Sequence, residues 1–166
     1  MHVMNTAMTW QTLSTDSGAT EKIGKALGKL LKGGEIIELR GDLGSGKTTL
    51  TRGLAKGIGA RAEVASPTFV LNKTYRGTAG RVIQHFDFYR LNRPGTLVQD
   101  LHEALSTAGN IVVLEWANIV LGVLPRRRLI IELKPDRQHP AKRIVTITYP
   151  ASLAGLIKNL DGKGKL

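Results

Sequence analysis

A glycine-rich segment between an apolar run and a helical stretch constrains this chain more than any other feature of its sequence. The segment reads Gly41-Asp42-Leu43-Gly44-Ser45-Gly46-Lys47-Thr48 and fits G-x-x-x-x-G-K-[ST] at every fixed position. Glu35–Leu39 before it is typical of a short strand, and Thr48–Ile58 after it is typical of a helix that ends at Gly59. A strand, a curled loop and a helix are the context in which this pattern binds phosphate. We therefore predict a phosphate-binding loop.

The fixed residues of the loop each have a physical role. Glycines let the backbone curl so that successive N–H groups point at phosphate oxygens, and the helix that begins near Gly46 adds its positive end. Lys47 can carry a cation to the β- and γ-phosphates, and the Thr48 hydroxyl can bind magnesium. We expect the nucleotide to contact consecutive residues of this segment: Asp42, Leu43, Gly44, Ser45, Gly46, Lys47, Thr48 and Thr49.

Two acidic residues follow strand-like segments. The apolar run Ile111–Leu114 ends in Glu115, the Walker B pattern, so Glu115 is the first candidate for a metal-site acid; the alternative is an acid at the surface end of a strand. Asp87 could bind metal through water or orient the attacking water, and it could equally cap the turn at Phe88–Leu91. We predict Lys47, Asp87 and Glu115 as catalytic residues, with Thr48 and Glu115 as the metal ligands.

The motifs that read guanine are absent. The nearest match to N-K-x-D is Asn72-Lys73-Thr74-Tyr75, which lacks the acid, and Asp87-Phe88-Tyr89-Arg90 does not fit the D-x-x-G switch. These absences favour ATP over GTP. His85 is interpreted as a packed or hydrogen-bonded strand residue rather than a base, and Trp116 as a packing residue rather than an adenine platform.

The remaining segments complete an alternation of helices and strands. They are a helix at Ser17–Leu31, a hairpin of Phe69–Tyr75 and Arg81–Phe88, a helix at Thr96–Leu105, and strands at Leu129–Leu133 and Ile144–Thr148. Because the hairpin-like pairs argue against a fully parallel sheet, we predict an α/β, three-layer P-loop NTPase-like sandwich with a mixed β-sheet. Residues 1–166 are expected to form a single domain, with a frayed tail at Asp161–Leu166.

Composition and charge narrow the possible functions. The chain has 166 residues, 42% of them apolar, and no cysteine, so disulfides and thiolate zinc sites are excluded. No apolar run approaches the roughly 20 residues that span a bilayer, and Met1–Trp10 does not fit a signal peptide. We expect a cytoplasmic protein without membrane contact. The net charge of +11 fits an RNA partner, an acidic protein partner or a solvated surface, with a local run at Arg126–Arg128.

Several blocks beyond the loop occur in a characteristic order. They are Thr51-Arg52-Gly53-Leu54, Ser66-Pro67-Thr68-Phe69, His85-Phe86-Asp87-Phe88-Tyr89-Arg90-Leu91 and Glu115-Trp116. Together with the phosphate loop they closely resemble the bacterial TsaE family, formerly YjeE, from about Ser17 to Thr148. One segment departs: Gly95–Glu103 lacks a glycine and a leading acid that the family usually has there.

The resemblance implies an ATPase of low intrinsic activity that supports threonylcarbamoyladenosine modification of tRNA. It implies that the protein acts on the TsaB–TsaD complex, which transfers the threonylcarbamoyl group, and that ATP hydrolysis resets this complex. By position it assigns phosphate binding to Lys47, magnesium binding to Thr48 and Glu115, and the H-F-D acid to Asp87. Contact with tRNA is expected to be indirect or weak.

Two other functions are compatible with the same loop: a small-molecule kinase, and a binding module that does not hydrolyse ATP productively. A kinase usually has a lid rich in arginines, but Arg126–Arg128 directly precedes a strand rather than lying in a long insertion. No motif indicates the adenine contacts, and Leu13–Asp16 and Arg143 are candidates by position alone.

Overall fold

A computed structural model of the chain describes residues 7–93 and 95–161. Within these ranges seven strands form one sheet in the order β1-β7-β6-β2-β5-β4-β3. In chain order the strands and helices are β1 (Met8–Ser14), α1 (Ser17–Leu30), β2 (Ile36–Arg40), α2 (Lys47–Gly57), β3 (Asn72–Arg76), β4 (Val82–Asp87), α3 (Leu97–Ser106), β5 (Asn110–Glu115), β6 (Leu129–Pro135), β7 (Arg143–Tyr149) and α4 (Ala154–Asp161). Short 3-10 segments occur at Ala117–Val123 and Ala151–Leu153.

The sheet is parallel at its centre and antiparallel at both edges. Strand β2 pairs in parallel with β5 and β6, and β4 pairs in parallel with β5, whereas β3, β7 and β1 add antiparallel strands. Because parallel strands end at the same edge of a sheet, the ends of β2, β4 and β5 meet. The register places Glu115 opposite both Leu39 and Asp87.

Helices cover the two faces of the sheet and create two apolar clusters. One cluster contains Leu27 of α1, Leu50 of α2 and Ile157 of α4; the other contains Leu101 of α3 and Val120 of the first 3-10 segment. The predicted three-layer α/β sandwich with a mixed sheet is therefore confirmed. The divergent segment Gly95–Glu103 contributes the buried Leu97 and Leu101 to the second cluster. None of the described helices has the length and apolarity to cross a membrane.

Helices α1 and α2 approach each other so closely that only glycine fits at their crossing. A Cβ built on Gly53 would lie 2.1 Å from the Glu21 carbonyl oxygen, and one on Gly24 would lie 2.3 Å from the Leu50 carbonyl oxygen. Gly28 and Gly57 repeat this arrangement one turn further along the two helices. The backbone contact fixes the position of α2, whose first residue is Lys47.

Two differences from the predicted elements have physical causes. Strand β1 was not predicted. It is an edge strand whose side chains are mostly exposed, so its sequence lacks the sustained alternation of apolar and polar residues that indicates a half-buried strand. The strand predicted from Phe69 begins at Asn72 instead, since the Val70 and Leu71 N–H groups both donate to the Pro67 carbonyl and form a turn. Of the predicted tail, Asp161 ends α4, and residues 162–166 lie outside the described ranges.

The three arginines of the basic run Arg126–Arg128 have different environments. Arg126 and Arg127 are exposed, but the Arg128 Nε donates to a Glu38 carboxylate oxygen at 2.8 Å. Glu38 is only 2% exposed, and its other oxygen accepts from the Arg40 Nε at 2.6 Å. Of the three arginines, Arg128 is therefore committed to the fold by this pair.

Arg128→Ser is expected to lower the free energy of unfolding by about 1–3 kcal/mol, because buried Glu38 would lose one of its two cations. The Arg126→Ser/Arg127→Ser double variant is the matched control and should change stability by less than about 0.5 kcal/mol. Urea unfolding of both variants measures the difference. Equal stabilities would show that the Arg128–Glu38 pair contributes nothing to the fold.

Candidate nucleotide-binding site

The glycine-rich segment folds into a loop between β2 and α2, as predicted. Its turns require positive φ angles at Gly41 (141°), Gly44 (75°) and Gly46 (108°), which residues with a Cβ rarely adopt. A Cβ on Gly41 would also lie 2.6 Å from the Leu133 carbonyl oxygen, so the loop rests directly against β6. Helix α2 then begins at Lys47 with its first N–H groups facing the loop.

A cavity of about 310 Å³ lies beside this loop, close to the lower limit of small-molecule sites. The residues that line it are Leu43, Gly44, Ser45, Gly46, Lys47, Thr48, Thr49, Ser66, Thr68, Asp87, Glu115 and Trp116. Every predicted site residue is among them except Asp42, whose carbonyl oxygen instead accepts a hydrogen bond from the Lys47 Nζ. The fold thus brings together residues that are up to about 70 positions apart in the sequence.

A larger cavity of about 600 Å³ lies at the other end of β2, near Glu35. Two of its polar side chains already have partners: both Glu35 carboxylate oxygens accept backbone N–H groups, and Arg81 donates to the carbonyls of Leu31, Ile58 and Thr78. The smaller cavity is the stronger candidate because the predicted site residues converge on it.

Lys47 places a buried ammonium group inside the smaller cavity. Its side chain donates to the carbonyl oxygens of Gly41 (2.7 Å) and Asp42 (3.0 Å), and the residue is 6% exposed. Burial lowers the pKa of Lys47, while the nearby charges of Glu115, Asp87 and Asp42 act in the opposite direction. The loop backbone therefore holds the ammonium group, and the nearby acidic residues favour its charged form.

Asp87 performs the turn-capping role and also faces the cavity. Its Oδ1 accepts the Tyr89 N–H at 2.8 Å, which is the cap expected for the turn after β4. Its Oδ2 accepts the Thr68 hydroxyl at 2.5 Å, so it also holds the Ser66-Pro67-Thr68-Phe69 loop against the site. One carboxylate thus serves the turn and the cavity together.

Glu115 is 3% exposed at the end of β5 and lines the cavity, which does not fit the alternative of an acid at the surface. Its Oε1 lies 2.9 Å from the Nε2 of His85, a fully buried residue on β4. His85 is thus a hydrogen-bonded strand residue, which is one of the two structural roles predicted for it from the sequence.

Sequence reasoning missed the position of Trp116. This residue adopts a left-handed conformation (φ 56°) directly after Glu115, and the Lys47 Nζ lies 4.9 Å from the centroid of its ring. The centroid of the Tyr89 ring lies 4.9 Å from the centroid of the Trp116 ring. Trp116 therefore lines the cavity and is more than a packing residue. The Glu-Trp pair after an apolar strand was the available signal.

The residues present fit a magnesium nucleotide. The Ser45 Oγ is buried without a hydrogen-bond partner in the described part of the chain, and the loop supplies N–H donors beside the Lys47 ammonium. Across the described ranges no cluster of three or more His, Cys, Asp or Glu side chains could hold a metal by itself. Magnesium suits such a site, since it typically binds through one or two carboxylates and the substrate phosphates.

The two positions suggested for adenine contact lie beside the loop. Arg143 begins β7 and its Nε donates to the Ser45 carbonyl at 3.2 Å. Ser14 of the segment Leu13–Asp16 is the β1 residue paired with Arg143. Their role in adenine binding stays a prediction.

Comparison with known proteins assigns the family. Residues 14–145 match the family "Threonylcarbamoyl adenosine biosynthesis protein TsaE". The chain is similar to a tRNA threonylcarbamoyladenosine biosynthesis protein TsaE from Streptomyces coelicolor (39% identity over 70% of this chain and 78% of that protein). It is also similar to the Bacillus subtilis protein of that name (34% identity, 84% of each chain). Its fold resembles the crystal structure of Bacillus subtilis YdiB, with a TM-score of 0.76 and 30% identity over 96% of this chain and 97% of that one. The chain therefore belongs to the TsaE family of threonylcarbamoyladenosine biosynthesis proteins.

Proposed function

We propose that this protein is a magnesium-dependent ATPase of low intrinsic activity that supports tRNA threonylcarbamoyladenosine modification by acting on the TsaB–TsaD complex. The observation that carries the proposal is the convergence of the loop, Lys47 and two strand-end carboxylates on one cavity in a TsaE-family chain. The 166 residues are proposed to act as one domain.

The loop and Lys47 bind the phosphates of ATP in this proposal. The ammonium now satisfied by the Gly41 and Asp42 carbonyls can turn to phosphate oxygens, which are stronger acceptors because they carry charge. The Trp116 ring beside it limits water access to the Lys47 side chain. Binding would therefore exchange neutral acceptors for charged ones.

Thr48 and Glu115 would hold the metal, and both line the cavity. Magnesium bound there would neutralise charge on the phosphates. Asp87 would orient the attacking water; it lines the cavity, and its Oδ1 is fixed by the Tyr89 N–H. The bond from Thr68 to Asp87 would make this orientation depend on the position of the Ser66–Phe69 loop.

Exposed apolar side chains next to the cavity supply a surface for the TsaB–TsaD complex. Leu43 is 66% exposed, Phe69 is 81% exposed and Val70 is 59% exposed, and each belongs to or adjoins a segment that lines the cavity. Solvent-exposed apolar groups clustered around a site are typical of a protein interface. A partner that covers them would also close the nucleotide site. Contact with tRNA is proposed to be indirect or weak.

The test is phosphate release from ATP by the chain alone, with the TsaB–TsaD pair, and with candidate metabolite acceptors. The expected result is slow release by the lone chain and stimulation by TsaB–TsaD, with an association rate that falls as salt rises because the chain carries a net charge of +11. Rapid hydrolysis that TsaB–TsaD does not change would contradict the proposal. Phosphorylation of a metabolite would establish a kinase instead.

Two charge-removing variants should separate the roles of the acids. Glu115→Gln is expected to weaken magnesium-dependent ATP binding about tenfold or more and to suppress hydrolysis, because a charged ligand is lost. Asp87→Asn should spare binding and lower partner-stimulated turnover about 100-fold or more, as for loss of a group that positions water. Nucleotide titration and phosphate release measure the two effects. If Asp87→Asn turns over like the wild type, Asp87 serves only as the turn cap.

A further inference from the structure

A buried histidine contacts the carboxylate that is proposed to bind magnesium. The Nε2 of His85 is 2.9 Å from the Oε1 of Glu115, and the two side chains are 0% and 4% exposed. Strands β4 and β5 pair in parallel, with Asp87 opposite Glu115 and His85 two residues earlier on β4. Residues at two-residue spacing share a face of the sheet, so His85 lies on the face that carries both carboxylates.

The direction of this hydrogen bond follows from the chemistry of its two groups. An ionised carboxylate only accepts, so the hydrogen lies on the Nε2 of His85. The Nδ1 is buried and lacks a hydrogen-bond partner among the described residues. The Nε2–H of His85 is therefore committed to Glu115.

The ring is also held in orientation by packing. Its centroid lies 6.2 Å from that of Tyr75, which is 3% exposed on the neighbouring strand β3. The Tyr75 hydroxyl donates to the Ala65 carbonyl at 3.0 Å, which fixes the tyrosine in turn. His85 is thus a rigid donor aimed at a single carboxylate oxygen.

We propose that His85 is a positioning residue for the metal site. It donates a hydrogen bond to the Oε1 of Glu115 and so fixes the rotamer of this side chain. The second carboxylate oxygen is left available to magnesium. Partners behind a metal ligand commonly orient it in this way, and losing one lowers metal affinity about 10- to 100-fold. This inference rests on the proposed function, because it assumes that Glu115 binds the metal.

Two polar variants that differ in reach test the inference. His85→Gln can place an amide N–H near the position of Nε2, whereas the shorter side chain of His85→Asn cannot. The affinity for a non-hydrolysable ATP analogue is measured with magnesium and with EDTA, together with melting temperature. We expect His85→Asn to reduce the gain in affinity from magnesium about tenfold or more, and His85→Gln to restore most of it. His85→Leu provides a second variant without the donor.

The affinity in EDTA should stay close to that of the wild type in all three variants, because the loop and Lys47 are unchanged. An undiminished magnesium gain in His85→Asn and His85→Leu, even with lowered melting temperatures, would overturn the inference and leave only a structural role. Equal losses in His85→Gln and His85→Asn would overturn it as well. If wild-type binding does not depend on magnesium, the proposed metal site itself fails, and the inference fails with it.

Discussion

Lys47→Ala is expected to weaken ATP binding at least about 30- to 150-fold, which corresponds to losing one charge-assisted contact of about 2–3 kcal/mol. Lys47 is the cation that lines the cavity at the loop, and its ammonium group now rests on two backbone carbonyls. Alanine leaves no donor that could replace it. Titration with ATP and magnesium measures the loss.

The variant should remain folded although Lys47 is only 6% exposed. Burial lowers the pKa of this lysine, which means that the surrounding protein disfavours its charged form. Removing the side chain eliminates a desolvation cost, which raises the free energy of unfolding, but it also removes two hydrogen bonds, which lowers it. The two effects therefore oppose each other. A melting curve recorded with the titration separates lost binding from lost structure.

Lys56→Ala is the matched control on the same helix. Lys56 lies in the last turn of α2, is half-exposed and pairs with Glu21, so its loss should leave ATP affinity unchanged. Unchanged affinity in a folded Lys47→Ala protein would show that the cavity is not a nucleotide site. Equal losses in the two variants would show a general effect of charge rather than a contact at Lys47.

Local patterns in the sequence were enough to locate the parts of the site that are continuous in the chain. The loop and the apolar strand ending at Glu115 each carry their signal within fewer than ten residues. Their meeting follows from the parallel pairing of β2, β5 and β4. From the sequence we predicted only that the sheet is mixed, without the order of its strands. The loop, the strand that ends in an acid and the mixed sheet were therefore predictable.

Contacts between distant residues were not predictable in the same way. The position of Trp116 beside Lys47 depends on a left-handed turn after β5, and the bond from Thr68 to Asp87 joins residues on different segments. The ion pair of Arg128 with Glu38 likewise joins β2 to the start of β6. Hydrophobic periodicity and runs of charge are properties of one segment at a time. They therefore do not predict which side chains of two different segments will be in contact.

The second large effect is a loss of stability, and it is expected from a substitution at the crossing of α1 and α2. Gly53→Ala should lower the free energy of unfolding by about 1–3 kcal/mol or more, since overpacking forces backbone shifts. The added methyl group would lie 2.1 Å from the Glu21 carbonyl oxygen and 2.8 Å from the Lys25 nitrogen, both backbone atoms of α1. No side-chain rotation can relieve such a contact, so the helices would have to separate. Urea unfolding measures the change.

Gly155→Ala is the matched control because Gly155 also lies in a helix, α4, but a methyl group added there would meet no neighbouring atom within 4 Å. Alanine at this position should be neutral or stabilising by up to about 1 kcal/mol, the difference in helix propensity. If Gly53→Ala behaves like Gly155→Ala, the helices are not in backbone contact. Because α2 begins with Lys47, separation of the helices should also weaken ATP binding in Gly53→Ala, whereas Gly155→Ala should bind ATP like the wild type. Loss of stability without any change in ATP affinity would show that the loop holds its position independently of the crossing.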